Sequence, residues 1–228
     1  EKGLGLFGAS LLARHWETLW TTDQDAPAPH SLFHTRCHQT LAPVAACRHC
    51  KQAIRLEDVT WLGLTETLDE QLDEIKRIHQ HRRARAQTAD RPKPQSLIKL
   101  ADLVGDRWTL LILVVAFFGI DRYDDFLKQL KIAPSMLIER LKRLVAAEVL
   151  SRKRYQNNPP RYTYKLTDKG KSLYPFIMAL RQWAIDWLPS AAPDATLIHE
   201  PCGKTLVVDV NCQSCDQSPW PKDVQLIP

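Results

Sequence analysis

A mainly α-helical chain with one small β-hairpin, α+β in class, accompanied by two small cysteine modules, is the fold the sequence predicts. Three observations lead to it. Apolar residues recur at helical spacing through most of residues 97–188, as at Leu137, Leu141 and Leu144. Strand character is concentrated at 149–166, where VLSRKRY and RYTYKL flank the tip QNNPP, which reads as a hairpin. The six cysteines fall into two groups of identical spacing, each His-x2-Cys-x9-Cys-x2-Cys.

Taken in order, residues 1–20 read as a helix, followed by an Asp/Pro-containing loop at 23–29 and a cysteine module at 31–60. Residues 65–86 form a charged helix, acidic early and basic late as the helix dipole favours. With a linker at 89–95 carrying two prolines, they make up a connecting segment over 61–95. Helices at 97–104 and 108–118 come next. The second is apolar nearly all round, so Trp108, Leu110, Leu111 and Leu113 are expected in the core. An amphipathic run at 123–130, a three-residue break Lys131-Ile132-Ala133 and a second run opened by Pro134-Ser135 make a helix-turn-helix, with Pro near the first helical position where its missing N–H costs nothing. The hairpin then reads as a wing, and a helix at 168–188 closes a winged helix-turn-helix domain spanning 96–188. A second cysteine module occupies 196–226.

The helix at 168–188 carries the apolar stripe Leu173, Ile177, Leu180, Ala184 and Trp187, enough to dock it on its own domain. Phe176, Trp183 and Leu188 add apolar surface beyond that stripe. Such a face packs against a partner subunit or a second copy, the alternative being one wider core.

The chain also repeats itself. Residues 1–20 match 168–187, pairing Gly3 with Gly170, Trp16 with Trp183 and Trp20 with Trp187. The match resumes in the cysteine modules, pairing His34, Cys37, Cys47 and Cys50 with His199, Cys202, Cys212 and Cys215. Residues 1–20 therefore read as the closing helix of a first, truncated copy. The chain begins with Glu1 rather than Met, so a reader for that copy is expected upstream. Helix 1–20 is expected to pack on helix 168–188, pairing Trp16 and Trp20 with Trp183 and Trp187.

The charge of +5 is unevenly spread: residues 96–188 hold 16 Lys+Arg against 9 Asp+Glu, leaving the remainder slightly acidic. A basic excess over a helix-turn-helix suits phosphate binding, although charge alone would equally describe a solvated surface. On helix 134–147 the leucines turn inwards. The stripe Met136, Arg140 and Arg143 is expected to face away from part of that seam, with Ser135 and Glu139 beside it. Recognition helices contact base edges mainly through their N-terminal residues, and an arginine such as Arg140 can take guanine O6 and N7 together. Ser135 stands where it would either cap the helix or face DNA, and Glu139 where it can pair with Arg143. In the wing, Arg152, Lys153, Arg154 and Arg161 surround the stiff tip, and Arg154 and Arg161 are expected to hold the sugar–phosphate backbone.

Three thiolates and an imidazole suit a closed tetrahedral zinc site, so each module is expected to hold one structural zinc in a zinc-ribbon-like fold. The two sites would be His34, Cys37, Cys47 and Cys50 in the first module, and His199, Cys202, Cys212 and Cys215 in the second. His38 and His49 lack counterparts across the repeat, which leaves His34 as the fourth ligand. Reduced structural cysteines and a redox-active Cys-x-x-Cys pair are the alternatives. The segment 108–118 is too short to span a bilayer and no signal peptide is visible, from which a soluble cytoplasmic protein without a membrane partner is expected.

VGDRWTLLIL, YDDFLKQLKIAPSMLIERLKRLVAAEVLSRKRY and PPRYTYKLTDKGKSLYPFIMALRQWAIDW together resemble the HxlR-type winged-helix transcriptional regulators over about 97–188. HEPCGKTLVVDVNCQSCDQSPWPKDV resembles an extension found in longer members. The resemblance implies a regulator that binds double-stranded operator DNA through the second helix of the motif and the wing. It acts as a homodimer, or here as a pseudo-dimer with an upstream repeat, and pairs through the helices flanking the reader. Many members carry a Cys before the first helix for sensing electrophiles or oxidants; here that region reads PKPQSLIKL, which puts such sensing in doubt. No catalytic triad or phosphate-binding loop is present, so an enzyme is not expected. A thiol redox protein using the Cys-x-x-Cys pairs and a winged-helix interaction module without DNA binding remain as alternatives.

Overall fold

The computed structural model describes residues 2–20, 31–62, 98–188 and 196–227. The expected helix at 65–86, the linker at 89–95 and the loop at 23–29 lie outside the described residues. The chain divides into two compact units, one formed by residues 1–62 with 172–228 and the other by 63–171. Elements of the first unit's N-terminal part are α1 (Lys2–Gly5), α2 (Phe7–Trp20), β1 (Ser31–His34), β2 (Gln39–Thr40), β3 (Pro43–Cys47) and β4 (Val59–Leu62). The other unit contributes α3 (Ile98–Val104), α4 (Arg107–Phe117), α5 (Tyr123–Leu130), α6 (Pro134–Ala146), β5 (Leu150–Gln156), β6 (Arg161–Leu166) and α7 (Asp168–Lys171). The first unit then resumes with α8 (Tyr174–Trp187), β7 (Thr196–His199), β8 (Lys204–Thr205), β9 (Val208–Cys212) and β10 (Val224–Ile227).

The unit spanning 63–171 follows from local signals. Asp106 opens α4, its carboxylate accepting from the Trp108 and Thr109 amides and from the Thr109 hydroxyl. Helix α5 stops where Lys131 turns left-handed at φ 47°, its N–H returning to Leu127 O. Ala133, extended because a proline follows, admits α6 with Pro134 in its first turn. Leu137, Leu141 and Leu144 point inwards as their spacing predicts and join Ile112, Leu113, Phe126 and Leu130 in the core. The antiparallel β5–β6 hairpin pairs Leu150 with Leu166 and Arg154 with Tyr162, with a register shift between Arg154 and Gln156. A bridge from Arg122 to Thr163, and the Tyr164 N–H donating to Asp121 O, tie the wing to the start of α5. Gly170 lets α7 approach closely, since a Cβ there would lie 2.2 Å from Val149 O.

One expectation needs correction here. Helix α4 buries Ile112, Leu113, Val115, Ala116 and Phe117, but Trp108, Leu110 and Leu111 are only half-buried. Contacts with α3, α5, α6 and β6 cover one side of the helix, whereas its apolar sequence runs around the whole circumference.

In the first unit, every strand of residues 31–62 recurs 165 residues later with the same length: β1 as β7, β2 as β8, β3 as β9 and β4 as β10. The strands do not close within each copy. Instead β1 pairs with β10 and β4 with β7, while β3 and β9 form an antiparallel ribbon centred on Ala45 opposite Val210. Those two residues occupy equivalent positions in the repeat, so the ribbon's centre is a local pseudo-twofold axis. Strand β1 pairs with β2 and β7 with β8 inside each module, but the β1–β10, β4–β7 and β3–β9 pairings all run between modules, so the two modules, expected to fold separately, are intertwined. Helices α2 and α8 both pack on the ribbon and on each other, with Ala9, Ala13, Ala45, Ala46 and Ala179 among the buried residues.

The tryptophans also pair differently from expectation. Trp16 and Trp20 both donate to Ser172 Oγ at 2.9 Å, just before α8. Trp183 donates to Lys2 O at 2.9 Å, and Trp187 covers Gly5 so closely that a Cβ there would sit 2.5 Å from its Nε1. The helices cross antiparallel, so each C-terminal tryptophan pair reaches the other helix's N-terminal end rather than the opposite pair.

Truncating Leu141 to alanine should destabilise the 63–171 unit by roughly 2–5 kcal/mol, because a buried leucine leaves a cavity that the flanking helices cannot fill. Chemical denaturation of the variant beside the parent protein measures this.

Candidate nucleic-acid interface and metal centres

The helix-turn-helix and hairpin leave a groove between α6 and the wing. Its volume is about 570 Å³, and its walls include Ile138, Lys142, Arg152, Tyr155, Arg161 and Tyr162. From α6 the groove is lined by Ile138, Lys142, Val145 and Ala146; Ser135, Ile138, Glu139 and Lys142 are exposed, Ile138 at 44% despite being apolar. Ser135 does not cap the helix: the N-cap is Ala133, and no side chain caps it.

Of the stripe expected to face outwards, Met136 and Arg140 turn back towards the protein, and Arg143, though exposed, is tied to it. The Arg140 side chain is only 16% exposed; its Nε donates to Asp106 Oδ1 at 3.1 Å and its Nη1 to Glu139 Oε1 at 2.7 Å. Arg143 donates to Asp102 O at 2.6 Å and lies 4.0 Å from Asp106. Met136 is half-buried. Glu139 therefore pairs with Arg140 rather than with Arg143. The cause is the Asp106 carboxylate at the start of α4, which draws both guanidiniums to one flank of α6.

The wing cations are exposed. The Arg152 guanidinium lies 3.6 Å above the Tyr162 ring. Arg154 reaches Asn157 O at 3.4 Å, and Arg161 pairs with Asp124 at 3.5 Å. Lys153 is exposed on β5 between them. Reasoning from sequence missed Lys142 and the groove tyrosines Tyr123, Tyr155, Tyr162 and Tyr164. Helical geometry held the signal for Lys142, which falls seven residues after Ser135 and three after Glu139 on one face.

The eight metal-ligand candidates come together in two clusters, but not as their order in the chain suggests. His34 and Cys37 stand with Cys212 and Cys215, while Cys47 and Cys50 stand with His199 and Cys202. Within each cluster the ligand atoms lie within 4.8 Å of one another. His34 Nδ1 is 3.3 Å from Cys37 Sγ and 3.5 Å from Cys215 Sγ, and Cys37 Sγ is 3.9 Å from Cys212 Sγ. The second cluster repeats these distances, with His199 Nδ1 at 3.3 Å from Cys50 Sγ and 3.5 Å from Cys202 Sγ, and Cys47 Sγ at 3.9 Å from Cys202 Sγ. A tetrahedron built on ordinary zinc–sulfur and zinc–nitrogen bonds has edges of about 3.8 Å between sulfurs and about 3.6 Å between sulfur and nitrogen, so the donor sets fit. All six cysteines are free thiols.

Matching turns shape both clusters. His38 and Gly203 are left-handed after the His-x2-Cys pairs, and Lys51 and Asp216 after the Cys-x2-Cys pairs. His38 is thus a turn residue, in keeping with its glycine counterpart. Burial works against ionisation of the Cys47 and Cys212 thiols, but the backbone N–H groups of the following turn and neighbouring thiols outweigh it and draw both below the ordinary thiol range.

Together, the two helices across a three-residue turn and the following hairpin define a winged-helix architecture of the transcription-factor type. The chain belongs to the HxlR-like helix-turn-helix family, whose model matches residues 103–192. An uncharacterized HTH-type transcriptional regulator of Mycobacterium bovis is 36% identical over 124 residues, covering 54% of this chain and 78% of the relative. The Bacillus subtilis regulator YvaP is 34% identical over 91 residues, covering 40% of this chain and 84% of the relative. Among solved structures, PA1607, described as a candidate transcription factor, is 31% identical with a TM-score of 0.48, covering 55% of this chain and 89% of the other. The family match and the Mycobacterium bovis relative bear out the resemblance drawn from the sequence motifs. Among the described residues, no helix is long and apolar enough to cross a membrane.

Asp106 provides a test of the network that orients α6. Burial would raise its pKa, but the Thr109 hydroxyl and amide and the Arg140 guanidinium outweigh this and hold the carboxyl below the usual range. The folded value lies below the unfolded one of about 3.9, so the stabilisation is complete above that pH and lost as pH falls through the folded value. Unfolding free energy measured across that acid range should fall more steeply for the parent protein than for Asp106→Asn. Parallel acid limbs would remove Asp106 as the anchor.

Proposed function

We propose that this protein is a transcriptional regulator that binds double-stranded operator DNA, reading bases with the exposed face of α6 and holding phosphates with the wing. The observation that carries this reading is the groove between α6 and the hairpin, bordered by Lys142, Arg152 and Arg161 on a helix-turn-helix. Ser135, Glu139 and Lys142 supply hydrogen-bonding groups to base edges, and Ile138 supplies an apolar contact of the kind that suits a thymine methyl group. Arg140 positions the helix through Asp106, while Arg143 stands at its flank. Arg152, Lys153, Arg154 and Arg161 contact the sugar–phosphate backbone without specifying sequence.

Zinc is the cation that the two Cys3His clusters suit, each as a closed structural site without an open position for chemistry. The pairing of α2 with α8 and of β3 with β9 supports a reading in which two copies of one structural unit pack as protomers of a dimer do. We read this unit as an intramolecular pseudo-dimer. The regulators to which this chain is similar are named for transcriptional control, not for catalysis.

Selection from a random duplex pool, followed by binding titrations at several salt concentrations, tests the reading. A sequence preference with strongly salt-dependent affinity supports it, and the lack of any duplex binding refutes it. Lys142→Ala should relax base preference by about 1–3 kcal/mol at one position, whereas Arg154→Ala should weaken all duplexes alike and reduce the salt slope by about 1. The same titrations on both variants check this; if Lys142→Ala weakens every sequence equally, Lys142 contacts backbone instead.

A further inference from the structure

We propose that each metal ion is held jointly by both repeats, so that the two ions cross-link the halves of the first unit and neither repeat binds an ion alone. One ion takes His34 and Cys37 from the first repeat with Cys212 and Cys215 from the second. The other takes Cys47 and Cys50 from the first with His199 and Cys202 from the second. The inference rests on the zinc reading above and goes beyond it by assigning which half supplies each ligand.

Three independent features carry it. The first is distance: Cys37 Sγ lies 3.9 Å from Cys212 Sγ and Cys47 Sγ lies 3.9 Å from Cys202 Sγ, both contacts between repeats. The second is the backbone. The Thr35 N–H donates to Asp223 O and the Glu200 N–H to Asp58 O, each at 2.9 Å, so the strand carrying each ligand histidine is anchored on the other repeat. Likewise, the Arg48 N–H donates to Val207 O and the Gln213 N–H to Ala42 O, fixing each Cys-x2-Cys turn on the opposite copy. The third is burial: His34, His199, Cys47 and Cys212 are almost inaccessible, so no ligand set can be rearranged without opening the β1–β10 or β4–β7 pairing. Beside the first cluster, Leu11, Leu41 and Cys212 form a buried apolar group with Phe7, Leu32 and Val224 packed against it.

Zinc content of the full chain, purified reduced, provides the test. The parent protein should hold two ions. Cys37→Ser with Cys215→Ser removes two ligands from one exchanged site and should leave one ion. Cys37→Ser with Cys50→Ser disables both exchanged sites and should leave none. The opposite result, none in the first double variant and one in the second, would mean that each repeat holds its own ion and would overturn the exchange. A parent protein that binds no zinc would overturn the zinc reading itself, a separately visible failure. If the double variants do not fold, the single variant Cys37→Ser can be alkylated and mapped by peptide mass. Cys212 and Cys215 should then label ahead of Cys47 and Cys50, whereas the reverse order, or no order, would overturn the exchange.

Discussion

The Asp106 carboxylate is the constraint on which the orientation of α6 depends. It satisfies the first donors of α4, a helix end that would otherwise leave its amides without partners, and in the same position accepts from Arg140 on α6. One group thus sets the start of one helix and the rotation of another about its own axis. Arg143 is drawn to the same carboxylate at longer range. With both arginines on that flank, the outward face is left to Ser135, Ile138, Glu139 and Lys142. The charge of Arg140 is largely balanced by Asp106 and Glu139, so positive potential towards the groove comes from Lys142 on the helix and from the wing. Arg140 and Arg143, the side chains that residue type alone puts forward, are here part of the frame that holds α6.

A different kind of constraint governs the first unit. The β3–β9 ribbon brings equivalent residues of the two repeats opposite each other at Ala45 and Val210, and the other strands, with α2 and α8, pair about that point. Departures from strict symmetry are local and chemically interpretable. Where Trp16 and Trp20 meet the hydroxyl of Ser172, the equivalent position in the other half is Gly5, and Trp187 fills the space that a side chain would have taken. One end of the helix pair is therefore held by two indole hydrogen bonds to one serine. The other is held by close ring-to-backbone contact and a bond from Trp183 to Lys2 O.

Most local structure was legible in the sequence because it is determined by nearby residues. The three-residue turn Lys131–Ala133, the inward leucines of α6 and the hairpin tip all follow from periodicity and proline placement. The ligand types and their spacing were legible for the same reason. What failed was inference about directions and distant partners. Helix geometry rotates about 100° per residue, which puts Arg140 only about 70° from the centre of the leucine seam, Lys142 about 130° away and Glu139 about 170° away. The wheel turns Glu139 and Lys142 outwards, but it also puts Arg143 about 130° from the seam, and only its bond to Asp102 O and its approach to Asp106 tie that side chain back. Nothing within residues 123–147 indicates that Asp106, more than thirty residues earlier in the chain than Arg140, would claim its guanidinium.

The metal clusters show how far spacing alone can go. Spacing identifies a His-x2-Cys pair and a Cys-x2-Cys pair as half-sites, but it says nothing about which halves meet. Strand register decides that. In the antiparallel ribbon, Cys47 stands opposite Val208 and Cys212 opposite Pro43, so each Cys-x2-Cys turn is carried to the end of the ribbon where the other repeat's chain enters. That chain has just left its own His-x2-Cys turn through β2 or β8, and the two half-sites meet there. A slip of one residue in the ribbon would turn Cys47 and Cys212 to the opposite face and break both clusters at once. The ligand geometry and the strand register thus specify each other.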